Sequence, residues 1–265
     1  MILFPNAKIN IGLNIISKRD DGYHNLLSLL YPIPFYDILE IIESKTSNPS
    51  YSGLHLKTED EYIQSLYSFL RKKDWVPGLN WHLHKQIPPN SGLGGGSSDL
   101  ACFANYLRRY DPVNKHWNEI KDYVLDLSTD AYYFLYNKPA MVEGKGDVLI
   151  KSSLDLKGKY LLLLFPGLSM STATAYDQIL PKIKKTSSFK PNSSNISDWK
   201  NNLINDFEDN FSKIYTPFIP LKTTLYQLGA LYVSLTGSGS VLYALFDKRL
   251  DNKNISLPRH KWIKL

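Results

Sequence analysis

A glycine-rich stretch constrains this 265-residue chain more than any other segment. It reads Pro88-Pro89-Asn90-Ser91-Gly92-Leu93-Gly94-Gly95-Gly96-Ser97-Ser98-Asp99. The apolar residues after it recur at a spacing of i, i+3, i+4 and i+7, which predicts one face of a helix. That face consists of Leu100, Phe103, Ala104 and Leu107. We therefore expect Ser97, Ser98 and Asp99 at the N-cap and in the first turn of this helix.

A glycine-rich loop that leads into a helix is suited to holding a phosphate. Glycine lets an anion approach the backbone closely, and the first amides of a helix carry positive potential without an intrahelical partner. The Walker pattern fails because Ser97 stands where a lysine is required, and the dinucleotide fingerprint fails because Ser97 replaces its third glycine. A flexible linker is the alternative, but a linker does not require an amphipathic helix after it.

Composition limits the class of protein. Hydrophobic residues make up 43% of the chain and charged residues 21%, which predicts a folded core. The net charge of +6 suits anionic ligands. We expect no nucleic-acid partner, because no RNA-binding or helix-turn-helix signature is present. The single cysteine, Cys102, allows no intramolecular disulfide and is expected to be buried. Lys8 interrupts any signal-peptide run and no apolar run approaches about 18 residues, so we expect a cytoplasmic protein without a membrane span.

Residues 7–15 alternate apolar and polar side chains, which predicts a strand with one dry face. Lys8 and Asn10 are expected to project together from the opposite, solvated face. The pattern alone leaves open whether this face is plain surface or part of a site.

Asp20-Asp21-Gly22 predicts a hairpin turn, which places Tyr23 and His24 at the start of the next strand. An aromatic residue beside a histidine can stack on a base and form hydrogen bonds to it, although most such pairs are ordinary surface.

The remaining patterns predict further elements. Helical spacing covers 59–72 and 116–127, strands are expected at 26–32, 36–42, 80–87 and 159–165, and loops at 44–53 and 181–202. His82 and His84 share one strand face, but without a third ligand nearby we expect a structural or exposed role. Asp130 precedes an apolar segment, and its position alone is compatible with an N-cap or a functional carboxylate.

The glycine-rich stretch resembles the second motif of the GHMP kinases, P-x-x-x-G-L-G-[SG]-[SG]-[SA], which wraps the phosphates of ATP. Residues 5–13 resemble the first motif, P-x-K-x-N-x-x-L, and residues 234–246 resemble the third. This resemblance covers nearly the whole chain. It implies an ATP-dependent kinase with an α+β, two-domain GHMP kinase fold. The implied domains are a ribosomal S5 domain 2-like domain at 1–152 and a ferredoxin-like domain at 153–265.

The resemblance is strongest to one branch of that family, through 94–98, the Asp-Gly-Tyr-His sequence at 21–24 and the Asn-Asp-Phe-Glu sequence at 205–208. That branch phosphorylates the 2-hydroxyl of a cytidine diphosphate-linked methylerythritol in non-mevalonate isoprenoid synthesis. The resemblance therefore implies a small-molecule substrate, ATP, Mg²⁺ and a monomer or weak homodimer. Another GHMP small-molecule kinase and a catalytically impaired nucleotide-binding member stay open as alternatives.

The resemblance also implies the site residues. ATP phosphates are implied at Pro88, Pro89, Asn90, Ser91, Gly92, Leu93, Gly94, Gly95, Gly96, Ser97 and Ser98, with Ser98 near the metal. Asp130 is implied as the general base, and Lys8 as the residue that orients it and lowers the pKa of the acceptor hydroxyl. The cytosine is implied at Tyr23, His24 and Tyr176, and the methylerythritol at Asn10 and Thr172. Around Asp130 the family's usual glycine and proline are absent, so the local backbone stays open.

Overall fold

The computed structural model describes residues 1–54, 60–168, 172–177, 179, 191, 193–250 and 257–265. The strands are β1 Ile2–Leu3, β2 Asn6–Lys18, β3 His24–Tyr36, β4 Ile38–Glu43, β5 Ser50–Gly53, β6 Leu79–Lys85, β7 Ala140–Glu143, β8 Val148–Lys151, β9 Tyr160–Phe165, β10 Tyr232–Leu235, β11 Leu242–Phe246 and β12 Arg259–Lys264. The helices are α1 Asp60–Lys72, α2 Gly95–Leu107, α3 Trp117–Leu127, α4 Thr129–Tyr136, α5 Thr172–Asp177, α6 Trp199–Asn202, α7 Glu208–Ile214 and α8 Phe218–Gln227. Short 3₁₀ helices cover Arg108–Tyr110 and Ser193–Asp198.

The chain forms two compact units, each assembled from separated stretches of sequence. Unit 1 comprises Met1–Ala7, Phe35–Pro89 and Gly94–Lys138. Unit 2 comprises Lys8–Pro34, Asn90–Leu93 and Pro139–Leu265. The predicted domains, 1–152 and 153–265, are each one continuous stretch of sequence, unlike these two units. The boundary near residue 152 stays a prediction.

Unit 1 contains a four-stranded sheet in the order β1-β4-β6-β5, in which β5 runs parallel to β6. Helix α2 packs against α1, α3 and α4. The apolar face predicted for α2 is confirmed, since Leu100, Phe103 and Ala104 are fully buried. The loop predicted at 44–53 is wrong in part, because Ser50–Gly53 pairs with β6 through its backbone.

Unit 2 contains most of a sheet in the order β2-β3-β7-β8 and a second sheet in the order β10-β11-β9-β12. The apolar run predicted as a strand is confirmed as β9, whose residues 161–164 have no exposed surface. Strand β9 lies between β11 and β12, and helices α7 and α8 contribute apolar side chains to the same core. A strand surrounded by neighbours on its edges and faces requires such a continuous apolar run.

Three further sequence predictions require correction. The polar face of β2 is not solvated, since Lys8 is 2% and Asn10 4% exposed. The helix after the glycine loop begins at Gly95 with Gly94 as N-cap, so Ser97, Ser98 and Asp99 lie within the helix rather than at its cap. The exposed loop predicted at 181–202 is helical from 193 to 202, with Trp199 buried, while 180–190 and 192 lie outside the described residues.

Candidate active site

The second half of the glycine-rich loop, in unit 1, forms the start of α2. Gly94 adopts the left-handed conformation with φ 74°, and its carbonyl accepts the first intrahelical hydrogen bond, from the Ser98 amide at 2.9 Å. The amides of residues 95–97 therefore have no acceptor in the preceding turn. A Cβ at Gly95 would lie 2.9 Å from Ile87 Cγ2, so only glycine fits. The result is a helix N-terminus with three consecutive amides and positive potential, which suits an anion.

The first half of the loop, in unit 2, is braced by residues of the third motif. The Val241 amide donates to the Ser91 carbonyl at 3.2 Å, and Thr236 Oγ1 donates to the Gly92 carbonyl at 2.8 Å. Gly92 has φ 76°, and a Cβ there would lie 1.9 Å from the Thr236 carbonyl oxygen. Asn90 also has a positive φ. Anion-binding nests form where left-handed and right-handed residues alternate, and Asn90 and Gly92 supply two left-handed positions of such a pattern.

Three buried ionisable side chains lie beneath the second half of the loop in unit 1. Lys85 Nζ is 2.6 Å from Asp37 Oδ2 and 2.6 Å from Asp99 Oδ2. Their side chains are 3% exposed for Lys85, 0% for Asp37 and 1% for Asp99. Asp37 Oδ1 also accepts from the Ile87 amide at 2.8 Å. This ion triad joins β6, which precedes the loop, to α2, which follows it.

The sequence predictions gave this triad no role, although the alternation in β6 indicates that Lys85 is buried. Lys85 alternates in phase with Trp81 and Leu83, which places an ammonium group on the dry face of β6. A lysine in such a position requires a buried partner.

Asp130 lies in the first turn of α4, and its side chain is half-buried. The N-cap of this helix is Ser128, whose hydroxyl accepts from the Ala131 amide, so the N-cap alternative for Asp130 is wrong. The Ser128 hydroxyl also lies 2.8 Å from the Ser97 hydroxyl of α2. A carboxylate in the first turn of a helix interacts favourably with the helix dipole. The sequence left the backbone conformation around Asp130 undecided, because the family's usual glycine and proline are absent. In the structure this backbone is the start of α4.

Lys8 and Asn10 occupy adjacent positions on the polar face of β2. Lys8 Nζ donates to Asn10 Oδ1 at 2.6 Å, and the Lys8 amide donates to the Leu93 carbonyl of the loop at 2.9 Å. The structure therefore brings these two predicted residues together and ties their strand to the first half of the phosphate loop.

Part of the predicted cytosine site is also assembled in unit 2. The rings of His24 and Tyr176 have centroids 5.2 Å apart, and Phe207 packs edge-on against Tyr176 at 4.9 Å. Tyr23 is 53% exposed, and Lys145 Nζ lies 5.3 Å from its ring centroid. Thr172 begins α5, and its side chain lies outside the described residues.

The described residues offer few protein ligands for a metal. No group of three histidine, cysteine, aspartate or glutamate side chains within that part of the chain is placed to hold an ion. His82 and His84 instead form hydrogen bonds to the Ser52 hydroxyl at 2.8 Å each, in agreement with a structural role. Ser98 is 3% exposed and is the fourth residue of the loop helix, at the end of its first turn. A serine hydroxyl is an oxygen donor, the ligand type that Mg²⁺ takes alongside phosphate oxygens.

Comparison with known proteins agrees with this arrangement of loop, helix and strand. The family model "GHMP kinases N terminal domain" matches residues 61–138, and "GHMP kinases C terminal" matches residues 194–257. The 4-diphosphocytidyl-2-C-methyl-D-erythritol kinase of Parabacteroides distasonis is 36% identical over 259 residues, which cover 97% of this chain and 96% of that protein. The chain belongs to the GHMP kinase family. The enzyme of the same name from Bacteroides fragilis is 38% identical over 252 residues, which cover 93% and 92% of the two chains.

A solved structure supports the predicted α+β, two-domain GHMP kinase fold. The crystal structure of a 4-(cytidine 5'-diphospho)-2C-methyl-D-erythritol kinase superposes with a TM-score of 0.73 at 24% identity, covering 92% of this chain and 90% of that one. GHMP kinases take ATP as the phosphate donor. Within the described part of this family member, no helix is long and apolar enough to cross a membrane.

Proposed function

We propose that this GHMP kinase transfers the γ-phosphoryl group of ATP to the 2-hydroxyl of 4-diphosphocytidyl-2-C-methyl-D-erythritol. The observation that carries the proposal is the 36% identity, over 97% of the chain, to a kinase named for that substrate. The same assignment places the chain in non-mevalonate isoprenoid synthesis, acting on a small molecule. A cytoplasmic location and a monomeric or weakly dimeric state remain predictions.

The glycine-rich loop supplies the phosphate site in this proposal. Residues 88–98 hold the phosphates through backbone amides, without the lysine of a Walker loop. Preorganised amides in a site that excludes water stabilise the charge that develops during phosphoryl transfer. The Ser98 hydroxyl is the protein group that we assign to Mg²⁺, whose role is to neutralise charge on the phosphate oxygens.

Asp130 and Lys8 carry the acceptor chemistry in this proposal. Asp130 accepts the proton of the 2-hydroxyl while that oxygen forms a bond to the γ-phosphorus and the bond to the ADP oxygen breaks. Lys8 supplies a fixed positive charge that favours the oxyanion form of the attacking hydroxyl. Asn10 and Thr172 place the methylerythritol.

Three aromatic residues hold the cytosine in the same proposal. The contact between His24 and Tyr176 supports a stacking surface with a hydrogen-bonding edge, and Phe207 fixes the Tyr176 ring from behind. Tyr23 is exposed and available to cover the base from the opposite side. Stacking is worth about 1–3 kcal/mol per base, so these residues give affinity for any cytidine diphosphate.

The test measures ADP release from ATP and Mg²⁺ in the presence of 4-diphosphocytidyl-2-C-methyl-D-erythritol. Wild type should release ADP only with this acceptor, CDP should compete with it, and Asp130→Asn should lower kcat by about 10²–10⁴-fold. Asp122→Asn, an exposed carboxylate on the neighbouring helix α3, is the matched control and should retain full activity. Activity with homoserine or a mevalonate derivative instead would identify another GHMP kinase. ATP binding without turnover on any acceptor would identify an impaired member.

A further inference from the structure

The buried amide of Asn10 connects three segments of unit 2. Its Oδ1 accepts from Lys8 Nζ at 2.6 Å and from the Gly237 amide at 2.9 Å. Its Nδ2 donates to Ser28 Oγ at 2.9 Å. Lys8, Asn10 and Ser28 are each no more than 4% exposed. Breaking one of these hydrogen bonds would therefore leave a buried polar group that water cannot reach, which is unfavourable.

These partners permit only one orientation of the amide. The Lys8 ammonium and the Gly237 N–H can only donate, so both require the oxygen of Asn10. The Ser28 hydroxyl donates its own proton to the Gly12 carbonyl at 2.6 Å, so toward Asn10 it can only accept. A flipped amide would place its NH₂ group against two donors, and the Ser28 oxygen would face another acceptor. Ser28 therefore reinforces, from the NH₂ side, the orientation in which the oxygen of Asn10 faces Lys8.

Asn205, from the Asn-Asp-Phe-Glu sequence, fixes the same network from the other side. This residue is 0% exposed, and its Nδ2 donates to the Leu235 carbonyl at 3.1 Å and the Gly237 carbonyl at 2.8 Å. Its Oδ1 accepts from the Phe207 amide at 3.0 Å. Gly237 is thus held through its carbonyl by Asn205, while its N–H holds Asn10. The proposed function leaves Asn205 without a role, and these contacts supply one.

We propose that Ser28 and Asn205 are positioning residues, which fix the Asn10 amide from two sides and thereby hold the Lys8 ammonium in one place. This inference rests on the proposed function, in which Lys8 acts on the acceptor hydroxyl. A fully satisfied buried network is rigid, and rigid support of a reacting group is what places it within a fraction of an ångström of its productive position. The network would thus set turnover rather than nucleotide affinity.

A double-mutant cycle tests this inference. Ser28→Ala should lower kcat about tenfold and change KM for ATP less than about twofold, since a small displacement of a catalytic group affects the rate most. In a Lys8→Met background, Ser28→Ala should lower the remaining kcat by less than about twofold, because its effect acts through Lys8. Equal losses in both backgrounds would overturn the inference.

Two further variants separate positioning from general destabilisation. Asn205→Asp keeps the acceptor for the Phe207 amide but removes both donors, so it should show the same dependence on Lys8 as Ser28→Ala. Asn14→Ala is the matched control, because Asn14 lies on the same strand, is 8% exposed and donates from its side chain to the Ile204 carbonyl at 3.1 Å. It should retain wild-type kcat. A tenfold loss in Asn14→Ala would show that any buried change in this strand has the same effect.

A second readout needs no turnover. Trace acetylation with acetic anhydride, read by mass spectrometry, compares the reactivity of Lys8 with that of the exposed Lys18 on the same strand. Ser28→Ala should raise the Lys8 to Lys18 ratio several-fold, because the Asn10 amide that accepts from Lys8 is then held less firmly, and Asn14→Ala should leave it unchanged. An unchanged ratio in Ser28→Ala would overturn the inference. If wild type fails to phosphorylate the acceptor, the proposed function fails. The acetylation ratio still tests whether Ser28 holds Lys8 in place through Asn10.

Discussion

Replacing Lys85 with methionine removes a cation that pairs with two buried carboxylates. Lys85 Nζ lies 2.6 Å from both Asp37 Oδ2 and Asp99 Oδ2, and none of the three side chains is more than 3% exposed. Methionine has nearly the same length and fits an apolar site, so Lys85→Met isolates the loss of charge from a change in volume.

The expected cost follows from the burial of the pair. Removing one partner of a buried ion pair costs about 3–5 kcal/mol, because the remaining charge stays desolvated. Two carboxylates lose the same partner here, so we expect about 5 kcal/mol. With an entropy of unfolding of about 2.1 cal/mol/K per residue over 265 residues, this corresponds to a fall in Tm of about 9 °C.

The assay is thermal unfolding followed by circular dichroism, with Lys159→Met as the matched control. Lys159 pairs with Asp247 at 2.5 Å, but these side chains are 31% and 60% exposed. An exposed pair contributes at most about 1 kcal/mol, so the control should lose less than about 2 °C. If Lys85→Met unfolds within 2 °C of wild type, the triad is not the brace between β6 and α2 that its geometry indicates.

Three further predictions concern the loop, the thiol and the base site. Gly92→Ala should raise KM for ATP at least about tenfold, because φ 76° and a Cβ 1.9 Å from the Thr236 carbonyl force the loop to move; an unchanged KM would argue against this loop as the phosphate site. Burial raises the pKa of the Cys102 thiol from 9.0 to about 12, which lowers its thiolate fraction about 10³-fold at pH 8. Iodoacetamide should therefore react slowly with the native protein and at an ordinary rate in urea, and fast alkylation of the native protein would contradict this. The contribution of the neutral thiol to the free energy of unfolding should be lost as the pH rises from about 9 to 12. Tyr176→Leu should raise KM for the cytidine-linked acceptor about tenfold or more while KM for ATP stays within about twofold, since the ring that contacts His24 and Phe207 is lost; a rise in KM for ATP instead would place Tyr176 elsewhere.

Local patterns in the sequence were sufficient for much of the fold. The alternation at 7–15 gave a strand and the spacing after Asp99 gave a helix, because one apolar face is enough to specify each element. The pattern did not show that the polar face of β2 is also buried. That burial depends on Thr236 and Asn205, which are distant in sequence and whose contacts with β2 only the folded chain creates.

The candidate site was predictable where residues act through short motifs. The start of α2 was placed late, because a left-handed glycine at Gly94 serves as the N-cap where serine was expected. Ser28 left no signal, since a serine in an apolar strand resembles many others until its partners are known. Asn205 was recognised only as part of a sequence resemblance, and its role follows from the two carbonyls that its amide contacts.

The identity of the product tests the central claim most directly. Wild-type protein is incubated with ATP, Mg²⁺ and 4-diphosphocytidyl-2-C-methyl-D-erythritol, and the product is analysed by phosphorus NMR and mass spectrometry. We predict one added phosphoryl group, as a phosphomonoester on the 2-hydroxyl, formed in equal amount to ADP. A phosphate on another hydroxyl, or ADP formed without a phosphorylated acceptor, would contradict the proposed function.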